Sequence, residues 1–387
     1  MNDAQMHALA ERHGTPLHLL DLDRIRARFG ALRAAFPDAE FRYAVKANPS
    51  TALLALVAAS GAGAETITEG ELARAVRAGI PGERLLIGGP GQGPELRRRA
   101  RDAGAALASL DSEDQWRAWR GNGPGRTRFL IRVNPGFDPG THPHLATGAA
   151  DSKFGLPPGR AAALAAEVAA DGVLDGFHVH AGSMLADAST HPRILDLLAP
   201  LFDRFDGART VDLGGGFAPD ADLAPFAAAV LPFVRSRGLR LILEPGRWPT
   251  ADAGRLLTRV LARKEGATVH WICDAGMAQL ARPALYGAEH PIRVVPVPGR
   301  PPAPVARGEV QGPLCENADR LGRDRTLAAG VGDLLEVGQV GAYGTSMESN
   351  YASSLRPAEV TIEHGAPHLA RRAETVDDLW RHDVGPD

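Results

Sequence analysis

"FRYAVKANPSTALLALVAASGAGAETIT", residues Phe41 to Thr68, decides the fold. It opens on an aromatic and apolar run typical of a buried strand. It then passes through Asn48-Pro49-Ser50 into a segment where Leu53, Leu56, Val57 and Ser60 share one helical face, and Gly61 marks the stop. A second short strand, "AETIT", follows. Strand, helix and strand in that order predict parallel pairing through a right-handed crossover. One residue does not suit this pattern. Lys46 sits at the tip of the first strand, where a charged amine has no packing role.

The same unit recurs along the chain. "RLLIGG", "ALASLDS", "RFLIRVNP", "LDGFHVHAGS", "RTVDLGGGF" and "RLILEPGR" each look like a strand and alternate with helical patterns such as "EGELARAVRAGI", in which Leu72, Val76 and Ile80 are spaced by four. Eight strand candidates lie between Arg42 and Arg247, the number of a closed (β/α)8 barrel. An open doubly wound sheet is the alternative, but no early Gly-x-Gly-x-x-Gly fingerprint supports it. Beyond Ala262 the texture becomes β-rich with turns, predicting a second, mostly antiparallel domain that the early strand "TPLHLLD" can join. The expected division is a barrel over 26–262 and a β-rich domain over 1–25 with 263–387, with the Pro-rich "VPGRPPAPVARG" as an exposed hairpin loop.

Composition narrows the function. The 387 residues are 44% hydrophobic and 23% charged, enough for a large core. A net charge of −3 argues against nucleic acid or an anionic membrane as partner. The two cysteines, Cys273 and Cys315, are too few for a disulfide framework or a zinc cluster, so no metal is expected and a reducing, cytoplasmic setting fits. No apolar window reaches the ~18 residues of a membrane span.

Barrels of this kind gather reactive groups at the carboxyl ends of their strands. Lys46, His180 with Ser183, Gly214 to Gly216, and Glu244 to Arg247 all fall there. Each has a plain structural explanation when taken alone: a solvated lysine, a satisfied core histidine, a turn, a surface ion pair. Together their chemistry is complementary. An amine in a low-dielectric site can take an aldehyde, glycine N–H groups can cradle a phosphate, a buried carboxylate can hold a pyridine nitrogen protonated, and an imidazole can stack on the ring. That set describes a pyridoxal phosphate site.

With these residues in view, the chain resembles the fold-type III pyridoxal phosphate decarboxylases, and within them the diaminopimelate branch. The resemblance runs from "GTPLHLLD" to "RRAETVDDL" and is carried by "YAVKAN", "HVHAGS", "DLGGGF", "EPGR", "RPALYG", "GPLCENAD" and "GAYGTSMESNYASSLRPAEV", with "NPGFDPGTHPHLATGAADSKFGL" also close. It implies an alanine racemase-like barrel with a C-terminal β domain, and a homodimer with shared active sites. It implies that Lys46 holds the cofactor covalently, that His180 stacks on its ring and Ser183 touches its phosphate. Gly214, Gly215, Gly216 and Gly246 would complete the phosphate cradle, and Glu244 would face the pyridine nitrogen. Tyr343 would lie near phosphate or substrate. Cys315 would enter from the partner subunit to assist reprotonation. Arg247, Arg282 and Tyr286 would grip the distal carboxylate of the substrate, and Glu316 its distal ammonium. An Arg fork with a phenol suits a carboxylate, and Arg282 and Tyr286 are spaced i, i+4. Glu65, Thr68 and Glu69 stand where the family more often has Asp, Ser and Gly. Met184 replaces an amide, and Ala278 a polar residue. Decarboxylases of ornithine, arginine, carboxynorspermidine or a carrier-linked amino acid share the scaffold, as do amino-acid racemases. An inactive regulatory or cofactor-binding relative is the alternative of another class. Racemases usually hold the pyridine nitrogen with arginine, and Glu244 argues against one.

Overall fold

The computed structural model describes residues 1–121, 123, 125–137, 152–297 and 299–385. The chain divides into two compact units, Arg26–Pro249 and Met1–Ile25 with Thr250–Asp387. Helix α1 (Asp3–His13) and strand β1 (Leu17–Asp21) precede α2 (Leu22–Ala35).

Eight parallel strands close the first unit: β2 (Ala39–Ala44), β3 (Gly63–Thr66), β4 (Leu85–Ile87), β5 (Leu107–Leu110), β6 (Arg128–Arg132), β7 (Leu174–His178), β8 (Thr210–Asp212) and β9 (Arg240–Leu243). They are the eight anticipated. β9 returns to β2 with Ala39 opposite Leu241 and Phe41 opposite Leu243, so no edge remains. Leu86, Leu107, Leu130 and Ile242 form one cluster. They come from β4, β5, β6 and β9, and because β9 is not a neighbour of β4, they meet through the barrel interior.

Helices follow the strands as the sequence pattern demands. α3 (Thr51–Ala59) buries Leu53, Leu54, Leu56 and Val57. α4 (Glu69–Arg77) starts at Thr68, whose hydroxyl accepts the Glu71 N–H at 3.2 Å, so Thr does here what Ser would do. Its buried face is Leu72 and Ala75. Val76 is 45% exposed, and Ile80 is buried beyond the helix, so the i, i+4 stripe seen in the sequence is only partly the packing face. After α5 (Pro94–Asp102), α6 (Glu113–Arg120) sets Trp116 and Trp119 edge-on to Phe129 of β6, with centroids 5.3 and 5.5 Å apart. Close strand approach demands glycine at one position: a Cβ on Gly176 of β7 would lie 1.8 Å from the Thr210 carbonyl oxygen of β8.

The second unit is a nine-stranded sheet in the order β14-β13-β11-β10-β1-β16-β17, with β15 on β10 and β12 on β15. These strands are β10 (Gly254–Lys264), β11 (Val269–Cys273), β12 (Ile292–Val295), β13 (Ala306–Gln311), β14 (Arg320–Leu327), β15 (Leu334–Gly338), β16 (Ala358–Glu363) and β17 (Ala366–Arg371). Pairing is antiparallel except β1 with β16 and β11 with β13. The early strand joins this sheet, as the sequence suggested. The division after residue 262 moves to 249. β10 begins before the change of texture at Ala262, but it pairs with β1, β11 and β15. The Pro-rich stretch is not a hairpin turn, because β12 pairs with β15 while β13 pairs with β11 and β14. A buried His18–Glu348 contact at 2.8 Å, extended by Arg371 at 2.8 Å, ties β1 and β17 to the segment that carries Tyr343.

Two predictions rest on this packing. Gly176→Ala cannot be accommodated by a side-chain rotation, since the obstacle is backbone. It should cost about 1–3 kcal/mol or more, seen as a lowered unfolding temperature, whereas Gly207→Ala, which faces open space, should leave that temperature unchanged. Glu71 accepts the Ile67 N–H, yet its burial wins and pushes its carboxyl from 4.5 up to about 7. The folded chain therefore holds that proton more tightly than the unfolded one. The contribution is full below about 4.5 and is lost as pH rises through about 7. Glu71→Gln should raise the unfolding temperature at alkaline pH, and the gain should vanish in acid.

Candidate active site

β2 ends in a single 3-10 turn, Val45–Ala47, which presents Lys46 at the carboxyl end of the barrel. The Tyr43 hydroxyl donates to the Asn48 carbonyl oxygen at 3.1 Å, and Asn48 Oδ1 accepts the Ser50 N–H at 3.0 Å, so the turn is fixed from both sides. Lys46 Nζ ion-pairs with Glu65 Oε2 at 2.5 Å. A carboxylate thus faces the amine for which the sequence suggested a low-dielectric site. Glu65, at 3% exposure on β3, is accommodated because residue 88 is glycine: a Cβ there would stand 2.5 Å from Glu65 Oε1.

Strand β7 delivers His178, and His180 follows two residues later. Burial, then the charges of Arg132 and Lys46, push the His180 imidazole down to about 3, so the ring is neutral. Burial likewise pushes His178 well down, and its Nδ1 shares a 2.7 Å hydrogen bond with Ser109 Oγ. Ser183 lies 3.4 Å from Arg247 Nη2, which joins two candidates from separate loops. Next to Ser183, Met184 occupies the left-handed region at φ 64, a conformation in which an amide side chain is easier to place.

Two N–H groups of the glycine triplet have partners within the chain. The Gly214 N–H donates to Asp212 Oδ1 at 2.8 Å, and the Gly215 N–H to His180 Nδ1 at 3.2 Å. What the triplet supplies is proximity. A Cβ on Gly214 would meet His180 Nδ1 at 2.3 Å, on Gly215 the Glu244 carbonyl at 2.2 Å, and on Gly216 the Gly182 carbonyl at 2.2 Å. Gly246 approaches Ala44 and Ala47 in the same manner. Three loops converge only because these positions lack side chains.

Glu244 follows β9 and is 6% exposed; Asp212, at the end of β8, is 0% exposed. Glu244 Oε1 has no hydrogen-bond donor among the described residues. Burial, then the adjacent Asp212 and Glu65, raise the Glu244 proton affinity well above the ordinary carboxylate range. Arg132 and Asp111, 3.3 Å apart and both buried, complete the wall, and Asp111 Oδ1 accepts the Gly155 N–H at 2.8 Å. Residues 138–151 of the "NPGFDPG" stretch lie outside the described residues.

Sequence reasoning did not pick out Asp212, His178, Ser109, Asp111 or Arg132. A signal for Asp212 was present, since a carboxylate directly before Leu-Gly-Gly-Gly cannot reach solvent from a barrel strand. The other candidates belong to the second unit. Arg282 and Tyr286 open and close one helical turn, α7 (Arg282–Tyr286), as their spacing implied. Arg282 Nη1 lies 3.4 Å from His290 Nε2. Cys315 and Glu316 are exposed on the loop between β13 and β14, where Asp319 accepts the Met277 and Leu314 N–H groups. Cys273 is buried, and burial raises its thiol to about 12, leaving Cys315 as the accessible cysteine. Tyr343 is half-buried with φ 59.

The barrel residues fit pyridoxal phosphate. A buried carboxylate oxygen without a donor, an amine, a neutral imidazole and a glycine-built approach of backbone occupy one end of one barrel. Residues 22–251 match the model of the pyridoxal-dependent decarboxylase, pyridoxal binding domain. The diaminopimelate decarboxylase of Deinococcus radiodurans is 39% identical over 384 residues, covering 98% of this chain and 99% of that protein. The Aquifex aeolicus diaminopimelate decarboxylase is 36% identical, covering 95% and 91%. The crystal structure of Helicobacter pylori diaminopimelate decarboxylase complexed with L-lysine superposes with a TM-score of 0.91 at 30% identity, over 97% of this chain and 98% of that one. The chain therefore belongs to the pyridoxal-dependent decarboxylase family, with pyridoxal phosphate as its cofactor.

Proposed function

We propose that this chain removes one carboxylate of meso-diaminopimelate, yielding L-lysine and carbon dioxide. The observation that carries the reading is Glu244, a buried carboxylate with an oxygen awaiting a donor, set among the strand ends that also present Lys46 and His180. Similarity over nearly the full length to diaminopimelate decarboxylases supports the choice of substrate. Bound pyridoxal phosphate supplies an aromatic system that takes up the electron pair left by departing carbon dioxide.

The chain's own residues do the rest. Lys46 Nζ would hold the cofactor aldehyde. Glu244 Oε1 would accept the hydrogen bond of the ring nitrogen. His180, neutral and planar, would stack on the ring. Ser183, Gly214, Gly215, Gly216, Gly246, Arg247 and Tyr343 would hold the phosphate. Arg247, Arg282 and Tyr286 bind the distal carboxylate, and Glu316 the distal ammonium, so that the end free of such partners reacts. Cys315 Sγ returns a proton to the reacting carbon, with Lys46 as the other donor candidate. We assign Cys315 to the site of a second copy, which makes the working form a C2 homodimer. Free cysteines support a reducing, cytoplasmic setting, and no helix among the described residues is long and apolar enough to cross a membrane.

Purified protein with pyridoxal phosphate should release carbon dioxide from meso-diaminopimelate and not from ornithine; turnover of ornithine alone overturns the substrate. Lys46→Ala should lower turnover by ~10²–10⁴ or more. Glu316→Gln should raise KM about tenfold or more at nearly constant kcat, the signature of lost uniform binding.

A further inference from the structure

Strands β8 and β9 lie side by side, with Asp212 opposite Ile242, and they bring Asp212 and Glu244 to one buried space. An oxygen of each, together with a ring nitrogen of His178, lies within 4.8 Å of the others. Asp212 Oδ1 is occupied by the Gly214 N–H. Asp212 Oδ2 and Glu244 Oε1 both lack a donor among the described residues. Two ionised carboxylates cannot satisfy each other, because each only accepts.

Among the described residues, the cations nearest the pair already have carboxylate partners. Lys46 pairs with Glu65 at 2.5 Å, Arg42 of β2 with Glu40 at 2.5 Å, and Arg132 of β6 with Asp111 at 3.3 Å. His178 of β7 and His180 are held neutral by burial. Two adjacent, fully desolvated carboxylates without counter-charge are far costlier than a pair holding one proton.

We propose that Asp212 and Glu244 share one proton, held between their carboxyl groups. The pair then bears one negative charge. Burial raises the proton affinity of both groups, and the charge of an ionised Asp212 raises it further at Glu244. Asp212 is thereby a positioning residue. With the pyridine nitrogen against Glu244 Oε1, the shared proton would rest on Asp212, and its hydrogen bond would make Glu244 less basic, so that the nitrogen keeps its own proton. That last consequence rests on the function proposed above; the sharing of the proton does not.

Infrared difference spectroscopy of the full-length chain without cofactor, with ¹³C-labelled aspartate and glutamate carboxyls, tests the sharing. At neutral pH the parent should show the carbonyl stretch of a buried protonated carboxyl that Asp212→Asn, whose amide leaves Glu244 ionised, lacks. Asparagine keeps Oδ1 for Gly214 and offers a permanent N–H donor, so Asp212→Asn should bind pyridoxal phosphate within about threefold of the parent and with the same absorbance. Asp212→Leu, which offers no donor, should bind at least about tenfold more weakly. A parent whose protonated carboxyl bands match those of Asp212→Asn, or an Asn variant as impaired as the Leu variant, overturns the proposal. A parent that shows the band but takes up no pyridoxal phosphate upholds the shared proton and overturns the cofactor role assigned to the site.

Discussion

The closing contact between the first and last barrel strands is the constraint on which the site depends. Phe41 pairs with Leu243, and just beyond the strands the Ala44 N–H donates to the Pro245 carbonyl oxygen at 3.3 Å. That seam brings the turn carrying Lys46 against the segment carrying Glu244, two groups from opposite ends of the barrel sequence. Gly246 permits it, because a Cβ there would press on Ala44 and Ala47 at 3.1 and 3.0 Å. An open sheet of the same strands would leave the amine and the acid on separate edges.

Closure also concentrates charge. Parallel strands all point their carboxyl ends the same way, so polar residues placed there share one low-dielectric volume. The barrel answers with matched pairs: Lys46 with Glu65, Arg132 with Asp111, Ser109 with His178. Glu244 Oε1 and Asp212 Oδ2 are left without a hydrogen-bond donor among the described residues, and there the energetics of burial and the needs of a protonated ring nitrogen coincide. A carboxylate whose solvation is already lost is a strong acceptor for a cation-like N–H brought in by a ligand.

Much of this was legible in the sequence because its signals are local. Eight apolar runs separated by amphipathic stretches specify alternating strands and helices without reference to distant residues. Lys46, His180 and Glu244 each follow such a run, so their common rim could be inferred from strand polarity alone. Boundaries were less legible. β10 begins before the change of texture at Ala262, and only its pairing with β1, β11 and β15 assigns it to the other unit. Similarly, Val76 falls on the predicted apolar stripe of α4 yet faces solvent, because a nine-residue helix needs little more than Leu72 and Ala75 to anchor it.

By itself the sequence determined the order and polarity of the elements, the residue types at the strand ends, and hence the class of chemistry. Those follow from periodicity and from functional groups, which are properties of short segments. Only the tertiary structure decided which of these groups meet. Gly214 to Gly216 read as a phosphate loop in one dimension; in three their missing side chains also let His180, Gly182 and Glu244 approach one another. Asp212 reads as an ordinary strand end until its neighbour proves to be a second buried acid. Proximity between residues far apart in the chain arises from strand register and barrel closure, and neither is written in any single stretch of residues.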